Sequence, residues 1–197
     1  ISFFTRPLEN DFSAQRNFGL RKARGEWVLF IDADERVSLS LQYEILSLIT
    51  SPLSDYSGYY IRRRDVMWGK ELRYGETGDI RLLRLVKKEK GEWVGKVHES
   101  FRIKGKTGLL RNPLIHYPHR DITQFLKEIN FYTDLRGKEL LDKNVKVYWW
   151  SIIAYPLGKF ILNYGIRRGF LDGLPGFVFA IMMSFHSFLV RGKLWQL

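Results

Sequence analysis

The chain has 197 residues, 45% of them hydrophobic and 15% aromatic, enough to bury a core and too apolar for a disordered tail. Its formal net charge of +11 calls for an anionic partner, whether nucleic acid, a membrane surface or a phosphorylated substrate. The absence of cysteine excludes disulfides and thiolate metal sites.

The opening residues, ISFFTRPLEND, lack the basic and apolar regions of a signal peptide and read as a cut inside a longer protein. In DFSAQRNFGLRKAR, residues 11–24, the spacing of Ala14 with Phe18 and of Leu20 with Ala23 predicts a helix facing a sheet, stopped by Gly25. The unbroken apolar run Trp27–Ile31 predicts a strand covered on both faces, as in a parallel α/β sheet. SLSLQYEILSLIT puts Leu39, Leu41, Ile45, Leu46 and Ile49 on one stripe, a second helix ended by Ser51-Pro52. From Tyr56 to Ile103, short β-branched and aromatic runs punctuated by glycine predict a mixed, partly antiparallel region. Asp121 then reads as the N-cap, and Gln124 as the N3 residue, of a helix with Ile122, Phe125, Leu126 and Ile129 on one face.

The remainder is apolar, aromatic and broken by basic pairs. Its longest weakly polar stretch, Leu174–Val190, falls short of the ~20 residues of a membrane span. An element lying in the membrane plane suits it better, with Trp149, Trp150, Tyr155, Tyr164 and Trp195 at the interface and Arg167, Arg168, Arg191 and Lys193 facing phosphates. The alternative is that these helices pack on protein.

The chemistry centres on Asp32-Ala33-Asp34, where the apolar run stops. Residues two apart on a strand point the same way, so both carboxylates leave the sheet edge on one side. Paired hard oxygens suit Mg²⁺ or Mn²⁺, which also takes phosphate oxygens, and in α/β sheets ligands gather beyond the carboxyl ends of strands. The plainer reading makes Asp32, Asp34 and Glu35 acidic caps of the next helix. Against it, three clustered acids are electrostatically costly unless a cation or basic groups offset them.

Joined, DFSAQRNFGLRKARGEWVLFIDADERV and the later GEWVGKVHESF resemble family 2 glycosyltransferases of the GT-A fold. Within that family the chain most resembles bacterial enzymes that add sugars during lipopolysaccharide core or other cell-envelope glycan synthesis. The resemblance covers nearly the whole sequence and includes GFLDGLPGF. It implies an α/β, Rossmann-like mixed sheet flanked by helices over residues 1–120, and a membrane-associated helical region over 121–197. The family's opening strands and acidic nucleotide-binding loop have no counterpart, so the catalytic domain is expected to be N-terminally truncated.

The resemblance also implies roles for residues. Asp32 and Asp34 match the family's D-x-D, which binds Mg²⁺ or Mn²⁺ and the donor diphosphate. Arg16 and Asn17 match an RN pair near the donor, and a planar guanidinium suits phosphate. Trp93, Gly95, Val97, His98 and Glu99 match a W-x-G-x-V-H-E block. An inverting transfer needs a carboxylate to take the acceptor proton, and Glu99 is the candidate, with His98 orienting it or the diphosphate. Neighbouring strand residues face opposite ways, so these two share a site only where the strand ends or bends. His116 in NPLIHYPHRD is the candidate third metal ligand.

The implied activity is metal-dependent, inverting transfer from a nucleotide sugar, UDP-linked, to a lipid-linked glycan or core oligosaccharide at the cytoplasmic face of a bacterial inner membrane. A different class, a non-catalytic basic module for a membrane surface or nucleic acid, stays open. Nucleic acid is the poorer partner, because the aromatics sit in apolar runs and not among basic residues.

Overall fold

The computed structural model describes residues 2–9, 11–51, 55–95, 99–119 and 121–197. In chain order the elements are α1 (Phe12–Lys22), β1 (Trp27–Leu29), β2 (Glu35–Val37), α2 (Leu39–Ile49), β3 (Tyr56–Met67), β4 (Lys70–Leu72), β5 (Ile80–Lys87), β6 (Gly91–Val94), β7 (Ser100–Ile103), β8 (Lys106–Leu109), β9 (Leu114–His116), α3 (Ile122–Asp142), α4 (Trp149–Phe160) and α5 (Gly173–Gln196). This is the mixed α/β class that the resemblance implied. The chain divides into two compact units, Ile1–Arg63 with Arg81–Ile115, and Arg64–Ile80 with His116–Leu197.

In the first unit the strands run in the order β1-β5-β3-β9-β2, and β8 pairs alongside β3. β3 and β8 are parallel. β1 is not: it pairs β5 antiparallel, with Trp27 opposite Lys87 and Leu29 opposite Leu85. The expected parallel strand is thus corrected, while the reason for its unbroken apolar run survives. Trp27 and Leu29 pack against a cluster that includes Leu41, Ile45, Ile61 and Leu85. Val28 and Phe30 pack against a second cluster of Leu20, Leu83, Val86, Trp93 and Phe101. Alternate residues of one strand therefore meet apolar side chains on both faces, and hydrophobic periodicity alone does not separate a parallel strand from an antiparallel one.

Helix α1 starts where Asp11 accepts the Ala14 N–H at 2.8 Å, an N-cap bond that satisfies an otherwise orphaned donor. Helix α2 is capped by Ser38 in the same way, through Leu41 N at 3.2 Å, so none of the acids at 32, 34 and 35 is its N-cap. Only Leu41 and Ile45 of its apolar stripe are buried; Leu39 and Leu46 are exposed. β6 and β7 form a separate antiparallel hairpin, with Trp93 opposite Phe101 and Val94 opposite Ser100.

In the second unit β4 pairs the end of β3, Asp65 opposite Leu72. Asp121 caps α3 as expected, accepting the Gln124 N–H at 2.8 Å. The buried face of α3 is rotated from the expected one: Phe125, Ile129, Thr133, Gly137 and Leu140 are buried, whereas Ile122 and Leu126 are exposed. The segment GFLDGLPGF makes a close crossing. A Cβ on Gly176 would stand 2.2 Å from the Gly169 carbonyl oxygen, too close for any atom, so this turn of α5 requires glycine. The buried Asp172 carboxylate accepts the backbone N–H groups of Arg73 at 3.1 Å and Tyr74 at 3.0 Å.

Helix α5 has 24 residues, and Gly169–Gln196 is long and apolar enough to cross a membrane by length and composition. The shortfall expected at Leu174–Val190 takes Arg191 and Lys193 as the end of the apolar element, whereas the helix continues through them. Ser184 Oγ donates to the Pro156 carbonyl of α4 at 2.8 Å, tying the two helices. Much of this apolar surface faces outward, including Trp149 at 77% exposure and Ile153, Leu157 and Trp195.

Candidate active site

The apolar strand ends early, at Leu29, and the chain then turns. Glu35 N donates to the Asp32 carbonyl at 3.0 Å, so Asp32 and Asp34 share one tight turn and do not alternate along a continuing strand. This corrects the expected geometry: the two acids lie within a turn at the end of the apolar run. Glu35 faces inward from the same turn, with its side chain 0% exposed. Its Oε2 accepts the Asp32 N–H at 2.9 Å and its Oε1 accepts from Arg84 Nη2 at 2.9 Å. A buried carboxylate needs this pairing, and it fixes the turn that presents Asp32.

Arg16 reaches the turn from α1. Its Nη2 donates to Asp32 Oδ1 at 2.9 Å, and its Nε donates to Glu99 Oε1 at 2.9 Å. Arg84, on β5, donates from Nη2 to Asp32 Oδ2 at 2.5 Å. Two guanidinium groups thus converge on one carboxylate, as charge-assisted hydrogen bonds favour. Burial works to raise the Asp32 pKa, but the charges and hydrogen bonds of Arg84 and Arg16 outweigh it and hold the carboxyl below its ordinary value.

Glu99 stands one residue before β7, outside the strand. Gly95, just after β6, has a φ of 94°, in the left-handed region that favours glycine. His98 lies outside the described residues. Asn17 does not face the same cluster: its Nδ2 donates to the Trp93 carbonyl at 2.8 Å, and its Oδ1 accepts the Trp93 N–H at 2.8 Å. It ties α1 to the hairpin that carries Glu99. Trp93 in turn supports Arg16, whose guanidinium carbon lies 4.7 Å from the centre of the indole, a cation–π contact.

Arg16, Arg84, Trp93 and Glu99 line a cleft of about 230 Å³, together with Arg81. Arg84 Nε and Trp93 Nε1 are buried with no hydrogen-bond partner among the described residues. Buried donors are normally satisfied, and the three arginines in its lining suit the cleft itself to an oxygen-rich anion.

Asp32 and Asp34 offer hard oxygen donors from one turn, which fits Mg²⁺ or Mn²⁺, ions that take their remaining ligands from water and phosphate. No cluster of three or more His, Cys, Asp or Glu suited to a metal occurs among the described residues. His116 belongs to the second unit, where its Nδ1 lies 2.9 Å from Asp65 Oδ1 and the Asp65 side chain is almost fully buried. The ligand set proposed below therefore rests on the two aspartates.

Sequence reasoning misses Arg84 and gives Glu35 the wrong setting. The signal is present: RLLRLVKK places a charge inside an apolar strand, and a buried arginine demands a carboxylate partner.

Residues 1–130 match the family model of glycosyl transferase family 2. The chain is 29% identical over 197 residues to an uncharacterized glycosyltransferase of Rickettsia prowazekii (strain Madrid E), an alignment covering 94% of this chain and 68% of that protein. It is 28% identical over 200 residues to the lipopolysaccharide core biosynthesis glycosyltransferase LpsC of Rhizobium meliloti (strain 1021), covering 100% of this chain and 73% of the other.

Proposed function

Because this chain belongs to glycosyl transferase family 2 and is a glycosyltransferase, we propose that it moves a sugar from a UDP-linked donor to a lipid-linked or lipopolysaccharide-core acceptor. The transfer is inverting and metal-dependent, at the cytoplasmic face of a bacterial inner membrane. The observation that carries this reading is the Arg16 guanidinium, 2.9 Å from both Glu99 Oε1 and Asp32 Oδ1. It gathers at one place the two carboxylates that such a reaction uses differently. The likeness to a protein named for lipopolysaccharide core biosynthesis supports the acceptor class.

Asp32 and Asp34 would hold the Mg²⁺ or Mn²⁺, which would supply positive charge to offset that of the diphosphate. Arg16 and Arg84, held in place by their carboxylate partners, add fixed positive charge beside the diphosphate. Glu99 takes the proton of the acceptor hydroxyl. That oxygen forms its bond to the anomeric carbon on the face opposite the diphosphate, which leaves with the electron pair, so the configuration inverts. His98, its neighbour in sequence, orients Glu99 or the diphosphate. Asn17 acts through Trp93, holding the Glu99 hairpin against α1. The outward aromatic surface of α4 and α5 supports attachment to the membrane that carries the acceptor.

The test is release of UDP from a panel of UDP-sugars, with Mn²⁺ or Mg²⁺ and vesicle-borne core lipopolysaccharide. Asp34→Ala and Glu99→Gln should each remove turnover. Full activity in both variants overturns the reading.

A further inference from the structure

The second unit contains a cleft of about 690 Å³ among α3, α4 and α5, unlike the carboxylate site above in its chemistry. Three cations line it, Arg136 from α3, Lys159 from α4 and Arg191 from α5, and among the described residues no carboxylate does. Two of them are held by acids outside the lining: Arg136 Nη1 by Glu139 Oε2 at 2.5 Å, and Lys159 Nζ by Glu76 Oε1 at 2.6 Å.

Arg191 is different. Among the described residues no carboxylate pairs with it, and its guanidinium carbon lies 3.9 Å from the centre of the Tyr155 ring. A guanidinium laid on an aromatic face keeps its edge N–H groups for a planar pair of anionic oxygens. The rest of the lining is mostly apolar and aromatic, with Leu140, Leu162 and Val190 beside the polar His186 and Ser187, and the neighbouring surface of α4 exposes Trp149, Ile153 and Leu157. Cations within an exposed apolar and aromatic face match an amphiphile, with a charged head for the arginines and hydrocarbon for the surroundings.

We propose that this cleft binds the phosphate headgroup of an anionic bilayer phospholipid, with Arg191 as its main contact and Arg136 and Lys159 completing the positive field. The proposal rests on the membrane-surface reading and goes beyond it by assigning a defined, saturable headgroup site.

The test is flotation of the whole chain with vesicles of phosphatidylcholine alone and of phosphatidylcholine with phosphatidylglycerol. The protein should bind the anionic vesicles at least tenfold more tightly. Arg191→Gln should remove most of that preference, and Arg191→Lys should restore it only in part, since the ammonium lacks the planar fork. Arg168→Gln, an exposed charge outside the cleft, should cost no more than the roughly fivefold of one diffuse surface charge. Equal losses for the residue 168 and 191 variants would show a diffuse field and overturn the site. Equal binding to both vesicle types would overturn headgroup recognition while leaving membrane attachment intact. Failure to bind either would overturn both.

Discussion

Arg16 Nε stands 2.9 Å from Glu99 Oε1 across 83 residues of chain, while Nη2 of the same guanidinium holds Asp32. One cation therefore sets the separation of the candidate base from the candidate metal carboxylate. A point charge cannot do this, because the two contacts use different edges of a planar group. Arg16→Lys is expected to lower kcat/KM for sugar transfer by about 10²–10³, the usual scale for losing one preorganised electrostatic contact. Initial rates across donor concentrations check it, and a lysine variant with parental rates would show that the bidentate geometry is dispensable.

Glu99→Gln keeps size and shape but cannot accept a proton. If Glu99 is the base, kcat should fall by about 10²–10⁴, with the donor KM little changed because the amide oxygen still accepts from Arg16. A purely structural role predicts the opposite pattern, a raised KM with kcat nearly intact.

Elements with local signals are legible in the sequence. Asp121 announces α3 through its capping chemistry, and Tyr56 to Ile103 announces strands through composition. What stays hidden depends on residues far apart in the chain. The pairing of Arg84 with Glu35 joins positions 49 apart, and no periodicity records it. The direction of β1 is set by β5, more than fifty residues later, and its apolar run suits either direction. Asn17 matches a motif near the donor, yet its amide is taken by the Trp93 backbone. The motif singles out the residue, and the hydrogen bonds show what its amide holds.

Glu35 and Arg84 form a buried pair, with side chains 0% and 7% exposed. Removing Arg84 strands the Glu35 carboxylate in the interior, which costs about 3–5 kcal/mol, whereas replacing both with apolar groups is often near neutral. Arg84→Met should therefore lower stability strongly in urea unfolding, while Glu35→Ala should cost less, because Arg84 keeps Asp32 as a partner. Glu35→Leu added to Arg84→Met should recover much of the loss but not activity, since Asp32 would lose both its turn support and one guanidinium.

Asp32 gives a pH signature. Burial pushes its carboxyl up, and Arg84 and Arg16 together outweigh that and hold it below the ordinary value of 3.8. The folded state thus binds a proton less readily than the unfolded state, so this contribution is fully present above about 3.8 and is lost as pH falls toward the lowered folded value. Asp32→Asn removes the titration. The stability difference between parent and variant should shrink on acidification from about pH 6 to about pH 3, measured by urea midpoints at each pH. A difference that stays constant or grows as pH falls would show that the two arginines do not favour the ionised form.

Gly176 offers the sharpest packing test. A Cβ there would meet the Gly169 carbonyl oxygen at 2.2 Å and the Asp172 Cβ at 2.7 Å. Neither neighbour can yield cheaply: one is backbone, and the other belongs to a buried side chain that binds the Arg73 and Tyr74 amides. Gly176→Ala should gain a little helix propensity, about 1 kcal/mol, and lose more through overpacking, typically about 1–3 kcal/mol. The net effect is a destabilised second unit with faster amide exchange at residues 73 and 74, because Asp172 is pushed from those donors. Exchange rates at those two amides, compared with the amides of α3, distinguish this local loosening from general unfolding. Unchanged protection at 73 and 74, together with parental stability, would show that the crossing tolerates a methyl group.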